Sequence, residues 1–398
     1  MNLLPQRNPI RDQVAIAGLG RSSYSRDRGT TELSMVLEAA TAAIHDAGLT
    51  GREIDGVVGG GLHTGGIDPA VVASALGLPA LTYWAGARPP IGNHLTAAVN
   101  AVWSGTANAV LVYHSMYRLG RDPFRARAAF GLPDGRAMLG DGHTESEPWG
   151  MFGPTGYAAW AARYLDRFAR TREDFGLVAL NDRAGASDNP GAVMREPLDM
   201  AAYLSGRMIR EPLCVFDMDV PVDGADAFVV TTSERARDLP ARPVLVHALS
   251  MGLTAHPEEH LTAGLDHTGQ TVAARALLAR SELTLRDFDV LFPYDGFSFI
   301  TLHCLEQYGF CEPGEGGDFL REHWNPDRGR VLIDGRVPIN PHGGSLSEGG
   351  SQGAGHLREA VLQLRHDAGD RQVGNARTAL LSPGGLFFNA QGIALRTN

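Results

Sequence analysis

The chain has 398 residues, 45 acidic and 35 basic, for a formal charge of −10; at about 100–200 residues per domain that is room for two or three. Its 43% apolar and 20% charged composition is that of a globular protein, and an acidic surplus without a basic block argues against a nucleic-acid or anionic-membrane partner. All 35 basic residues are arginine, so Schiff-base catalysis, lysine-anchored pyridoxal phosphate and a Walker A loop are excluded.

In chain order, Val14–Gly18 predicts a buried strand. Gly18-Leu19-Gly20 follows, but Ser23 spoils the dinucleotide fingerprint. Thr31–Ala47 predicts a helix with Thr30 or Thr31 as N-cap and Gly48 as its stop. Ile54–Gly59 is a strand, Leu95–Trp103 a helix and Ala109–Tyr113 a third strand, the alternation of a mainly parallel, covered sheet. Residues 120–212, rich in scattered Gly, Pro and Arg and helical around Tyr157–Phe168, predict an inserted cap or loop region. Ala225–Thr231 returns to strand, and Pro240–Pro243 reads as a linker.

The rhythm then repeats. Pro243–Leu249 is strand-like, Gln270–Ala279 helical, Asp287–Pro293 a strand, Phe297–Tyr308 and His356–Leu364 helices, and Ala379–Leu381 a strand. Gly48-Leu49-Thr50-Gly51-Arg52-Glu53-Ile54-Asp55 is echoed by Glu282-Leu283-Thr284-Leu285-Arg286-Asp287-Phe288-Asp289. An internal duplication of a strand–helix half is the simplest account. No window approaches the length of a spanning helix. The first residues lack an apolar signal core, and Cys214, Cys304 and Cys311 make no disulfide framework. The expected location is the cytoplasm.

The duplication, taken with Tyr294-Asp295-Gly296-Phe297, Leu305–Cys311, Gly314–Gly317, Asn340-Pro341-His342-Gly343-Gly344-Ser345-Leu346-Ser347-Glu348-Gly349 and Gly355–Arg365 in that order and spacing, resembles the thiolase superfamily. The match covers essentially the whole chain and is closest to the lipid-transfer branch of sterol-carrier thiolases and steroid side-chain-cleaving aldolases. The resemblance implies an α/β thiolase fold: two duplicated halves (1–240 and 241–398) in a five-layer α-β-α-β-α core, with a cap insertion near 118–212. It also implies where thiolase catalytic residues are missing. The nucleophilic cysteine belongs near Arg88–Gly92, the Gly-His-Pro histidine falls on Gly350, and the second cysteine falls near Ser382-Pro383-Gly384.

What remains suits a different cleavage. In the aldolase branch a tyrosine in the Tyr294 turn is implicated in catalysis, and a second tyrosine of some members falls here on Gly350. The function implied is retro-aldol cleavage of a 3-hydroxyacyl-CoA, with a steroid or similarly bulky side chain, to a ketone plus propionyl-CoA or acetyl-CoA. Such a reaction needs a base for the β-hydroxyl, donors for the enolate oxygen and a proton for Cα. Tyr294, His342 and Asp295 are the candidate catalytic groups. Asn340, Gly343, Gly344, Gly350, Ser382, Gly384 and Gly385 are candidates for oxyanion and substrate binding, because glycine lets backbone N–H groups approach a ligand.

Each candidate has a plainer alternative. Tyr294 fills space and bonds a carbonyl; His342 fixes its loop; Asp295 orients Tyr294 or caps the helix from Phe297; His356 is structural; Glu348 holds the loop. The run Arg118, Arg121, Arg125, Arg127 contacts CoA phosphates or is surface; Tyr113, Met116 and Tyr117 suggest a dimer interface. Cys304 and Cys311 read as core packing. His256-Pro257-Glu258-Glu259-His260 matches a zinc-protease pattern but lacks a third ligand, so no metal is expected. The only cofactor is CoA, as part of the substrate. The resemblance further implies a homodimer and a small OB-fold, zinc-ribbon-type partner subunit, giving a heterotetramer. A thiolase-type acyltransferase and a non-catalytic acyl-CoA or lipid binder are the alternative functions.

Overall fold

The computed structural model describes residues 7–26, 29–61, 66–87, 89–119, 154–254, 264–386 and 389–397. The first half runs β1 (Val14–Arg21), α1 (Glu32–Asp46), β2 (Gly56–Gly61), α2 (Pro69–Ala75), β3 (Tyr83–Gly86), α3 (Ile91–Trp103) and β4 (Ala109–Tyr117). Helices α4 (Pro154–Phe168) and α5 (Arg172–Ser187) then precede β5 (Asp223–Thr232). The second half is β6 (Val244–Gly252), α6 (Gly269–Arg280), β7 (Val290–Pro293), α7 (Ser298–Tyr308), α8 (Ala354–Arg365), β8 (Thr378–Ser382) and β9 (Ala390–Arg396).

The strands hydrogen-bond in the order β3-β2-β4-β5-β1-β6-β9-β8-β7. The first half contributes β2-β4-β5-β1 and the second β7-β8-β9-β6. The two orders match strand for strand, and the halves meet where β1 pairs antiparallel with β6 at Ala15–Leu245 and Ile16–Val244. The duplicated turn makes the same structure twice. Thr50 and Glu53 close one capping box, and Thr284 and Asp287 close the other. The Asp55 carboxylate then accepts the N–H groups of Asn108 (2.9 Å) and Ala109 (2.9 Å). Asp289 accepts those of Arg377 (2.9 Å) and Thr378 (3.2 Å). Each carboxylate thus ties the entry of one strand to that of its neighbour.

The layers follow from which face each side chain buries. Along β4, Val110 and Val112 face a core shared with Leu95 and Val99 of α3 and Leu357 and Val361 of α8. Leu111 and Tyr113 face Met35 and Val36 of α1. A strand covered on both faces reads as an unbroken apolar run. The core around α3 and α8 also takes Val290 and Leu381 from the second half, so these helices lie between the two half-sheets. Helices α6 and α7 cover the other face of the second half, with Leu277 and Leu302 against Leu291 and Leu380. The Gly18-Leu19-Gly20 that failed as a nucleotide loop serves this packing: a Cβ on Gly18 or Gly20 would overlap the Ala43 or Ala39 carbonyl of α1.

Two expectations are corrected. Helix α5 is no loose cap; Phe175, Val178 and Ala179 enter the second-half core, and Asn181, Asp182 and Arg183 are buried. Tyr113 and Met116 are buried within the chain, because β4 lies inside the sheet between β2 and β5, and are core; Tyr117, half-buried at the strand end, reaches the Thr30 carbonyl (3.4 Å). Strands β3 and β9 are additions to the elements expected from the sequence. The segment 256–260 and Arg88, Arg121, Arg125 and Arg127 lie outside the described residues. Among the described residues no helix is long and apolar enough to cross a membrane.

Candidate active site

The three positions left without thiolase chemistry converge. The Ile91 N–H, at the start of α3, donates to the Gln352 carbonyl (3.1 Å). Gly353 packs on Pro383, and Gly384 on Pro90 and the Asn389 carbonyl, so closely that a Cβ would meet each neighbour. Tyr294 follows β7 directly beside them, its N–H donating to the Ser382 carbonyl (3.0 Å). Ser382 donates to the Gln391 carbonyl (3.1 Å), and Gly385 N–H to Asn389 Oδ1 (3.1 Å).

Among the described residues the Tyr294 hydroxyl has no hydrogen-bond partner. Burial, then the charge of Asp219, raises its pKa well above the ordinary phenol value, against an opposing pull from Arg118. Tyr294 is therefore a protonated donor at neutral pH. Arg118 is not surface: it is 6% exposed and its Nη2 lies 2.7 Å from Asp219 Oδ2. Gly350 makes room for that carboxylate, since a Cβ there would overlap it. Asp219 was not singled out from sequence; the only signal was the spacing of Asp217, Asp219 and Asp223 before a strand.

Asp295 neither orients Tyr294 nor caps α7, whose N-cap is Phe297. Its Oδ1 lies 2.8 Å from His356 Nε2, and Oδ2 accepts the Leu346 N–H (2.9 Å). Burial is the largest influence and works against the Asp295 charge, but the hydrogen bonds from His356, Asp182 and the Ser345 backbone, together with the charge of His356, outweigh it and the carboxyl is held down at about 2. Asp182 of α5 hydrogen-bonds to it; burial and the Asp295 charge push Asp182 well above the carboxylate range. The pair thus splits into one acid and one carboxylate. Gly344, at φ 55, lies against Asp295, where a Cβ would overlap the carboxylate.

His342 is fully buried, its ring 4.9 Å from that of His356. Burial first, then the charges of His356 and Arg358, drives its pKa well below the ordinary value, so it is neutral. Neither ring nitrogen has a hydrogen-bond partner among the described residues. Asn340 donates to the Pro293 carbonyl (3.1 Å). The Gly343 and Gly350 N–H groups are taken by the Asn340 (2.9 Å) and Val220 (2.8 Å) carbonyls. Glu348 does hold its loop: it accepts from Asn189 (2.9 Å) and pairs with Arg358 (2.5 Å), which also reaches Asp226 (2.5 Å).

The candidates therefore fall into two groups. Asp295, His342, Asn340, Gly343 and Gly344 form a sealed polar interior with Asp182 and His356. Tyr294, Gly350, Ser382, Gly384 and Gly385 border the convergence of loops, with Arg118 and Asp219. Burial raises the thiols of Cys214 to about 11 and of Cys304 and Cys311 to about 12; none is a thiolate at neutral pH. Among the described residues no three His, Cys, Asp or Glu side chains gather as a metal site.

Two duplicated half-sheets around a shared helix pair, with loops meeting at the first turn of one of those helices, define a thiolase-type fold. A family model for the thiolase C-terminal domain-like region matches residues 254–397. The chain is 33% identical, over 89% of its length and 92% of the relative's, to the 17-hydroxy-3-oxo-4-pregnene-20-carboxyl-CoA lyase of Mycobacterium tuberculosis. It is 32% identical to the steroid side-chain-cleaving aldolase of Thermomonospora curvata, over 93% of this chain and 95% of that one. A solved Ltp2-ChsH2(DUF35) aldolase superposes with a TM-score of 0.84 at 29% identity, covering 98% of each chain. The chain belongs to the thiolase superfamily, in the branch of the steroid side-chain-cleaving aldolases.

Proposed function

We propose that this enzyme cleaves a 3-hydroxyacyl-CoA bearing a steroid or similarly bulky side chain, by retro-aldol chemistry, to a ketone plus propionyl-CoA or acetyl-CoA. The observation that carries this reading is the family match along nearly the whole chain to two steroid-cleaving lyases. The site is compatible with it. Tyr294 presents a phenol without a hydrogen-bond partner among the described residues, where the thiolase nucleophile, histidine and second cysteine are all absent. With no lysine, the enolate cannot be carried as an enamine. With the thiols protonated, an acyl-cysteine route lacks its nucleophile. Hydrogen-bond donation to the developing enolate oxygen is the term left to the protein, and a neutral tyrosine is suited to it.

No cofactor beyond the CoA of the substrate is proposed. The assembly proposed is a cytoplasmic homodimer joined by a small OB-fold subunit into a heterotetramer, on the likeness to a solved aldolase named as a complex. The test is to co-express the chain with such a subunit and supply a 17-hydroxysteroid C22 acyl-CoA. Ketone and propionyl-CoA are followed by mass spectrometry. Turnover by the wild type, a drop of about 10²–10⁴ in kcat for Tyr294→Phe, and indifference to iodoacetamide are expected. Iodoacetamide inactivation with acyl transfer to CoA would turn the reading into an acyltransferase. Tight binding with the substrate left intact would turn it into a binder.

A further inference from the structure

Arg118 and Asp219 belong neither to the Tyr294 turn nor to the glycine loop, yet both of those segments fix the backbone around Asp219. The Asp219 N–H donates to the Gly296 carbonyl (3.0 Å), and the Val220 N–H to that of Ser345 (2.9 Å). The Val220 carbonyl accepts the Gly350 N–H (2.8 Å), and Met218 bridges to Phe297. The Asp219 carboxylate is thereby set beside Gly350, within electrostatic reach of Tyr294. Arg118 Nη2 holds it at 2.7 Å. The Nε and Nη1 of this buried guanidinium have no other partner among the described residues, so its charge is directed at Asp219.

The alternative bases are sealed. Asp182, Asp295, His342 and His356 are buried to within about a hundredth of their surface, whereas the Asp219 side chain is 16% exposed. A base must reach the proton that it removes. We propose that Asp219, oriented by Arg118, is the general base that takes the hydroxyl proton of a 3-hydroxyacyl thioester and returns it to Cα, while Tyr294 donates a hydrogen bond to the enolate oxygen. This rests on the lyase reading above.

The step balances without a co-reactant. The carboxylate binds the hydroxyl hydrogen, and the O–H electron pair becomes the new ketone C=O. The Cα–Cβ pair moves onto the thioester as an enolate. Asp219 then gives the same proton to Cα and is a carboxylate again. Substrate equals ketone plus shortened acyl-CoA, with no water, oxidant or metal consumed. Arg118 is a positioning residue in this scheme: it fixes the carboxylate rather than the reacting atoms.

The test uses the full chain with its small partner subunit and the 17-hydroxysteroid C22 acyl-CoA. Asp219→Asn is expected to lower kcat by about 10²–10⁴ with KM within a few-fold of wild type. Asp219→Ala, which opens space for a small carboxylate, is expected to regain turnover on addition of formate, whereas Asp219→Asn is not. Arg118→Gln is expected to lower kcat and Arg118→Lys to recover part of it; this pair carries the test should the Asp219 variants not fold. Turnover by Asp219→Asn within three-fold of wild type, or a folded Asp219→Ala that formate leaves inert, would overturn the assignment and leave the lyase intact. A wild type that cleaves no 3-hydroxyacyl thioester would overturn both.

Discussion

The two halves share one scaffold and use it differently. Strand orders, capping boxes and the Asp55 and Asp289 ties repeat, but among the described residues the link from β4 to β5 holds α4, α5, a short helix at Met200–Leu204 and the Asp219 segment, while the link from β8 to β9 is only residues 383–389. The second half supplies Tyr294, the glycine loop and Arg358; the first supplies Arg118 and the strand that carries Asp226. Duplication built the frame, and asymmetric connections filled the centre with chemistry. Arg358 of α8 shows how strongly the halves are joined, buried between Asp226 of one and Glu348 of the other.

Breaking that junction carries the largest expected effect on stability. Arg358→Met leaves the buried Asp226 and Glu348 carboxylates without the guanidinium they share, a loss of about 3–5 kcal/mol, read as the shift in urea midpoint. The equivalence of the halves is sharpened by a matched pair. Asp55→Ala and Asp289→Ala each strand two backbone N–H groups and are each expected to cost about 1.5–3 kcal/mol. A large effect in one half and none in the other would break the comparison.

Buried histidines add a dependence on pH. Burial holds His94 of the first half and His303 of the second at about 4, against the opposing pull of carbonyls from Ala87 and Leu265. Between their ordinary value near 6.5 and about 4, the unfolded chain takes up protons that the folded chain refuses. Stability is therefore present above the ordinary value and lost as pH falls through this window, by about 1.4 kcal/mol per pH unit for each histidine. Urea midpoints across the window measure the slope, and His303→Gln should lower it by one proton's share. The smallest pair is Thr50→Ala against Thr284→Ala, each expected to cost about 1 kcal/mol through loss of a capping box; unequal losses would show that the two turns are not energetically alike.

How much was legible depends on how local the signal is. The Thr50 and Thr284 turns were readable because a capping box is a four-residue pattern. Helix α1 was readable from its N-cap, apolar period and Gly48. Helix α5 was not, because its buried face mixes Phe175 and Val178 with Asn181, Asp182 and Arg183, which pair with residues far along the chain and blur the apolar stripe. Within the site, Tyr294 and the glycine loop were found through their motifs. Asp219 was missed, and Arg118 was grouped with an arginine-rich run on the strength of its neighbours in sequence.

The sequence alone determined that imine chemistry is excluded, that thiolase cysteines and histidine are absent where the family places them, and that a half-domain repeats. Those are matters of residue type and short-range spacing. Only the tertiary structure decided which acidic and basic groups stand together: that Asp295 turns to His356 and Asp182, and that Asp219 meets Arg118 beside Tyr294 and Gly350. The partners in those clusters come from separate strands, helices and loops, and no periodicity relates them. Burial and distance, which set their charge and reach, exist only once the halves have closed.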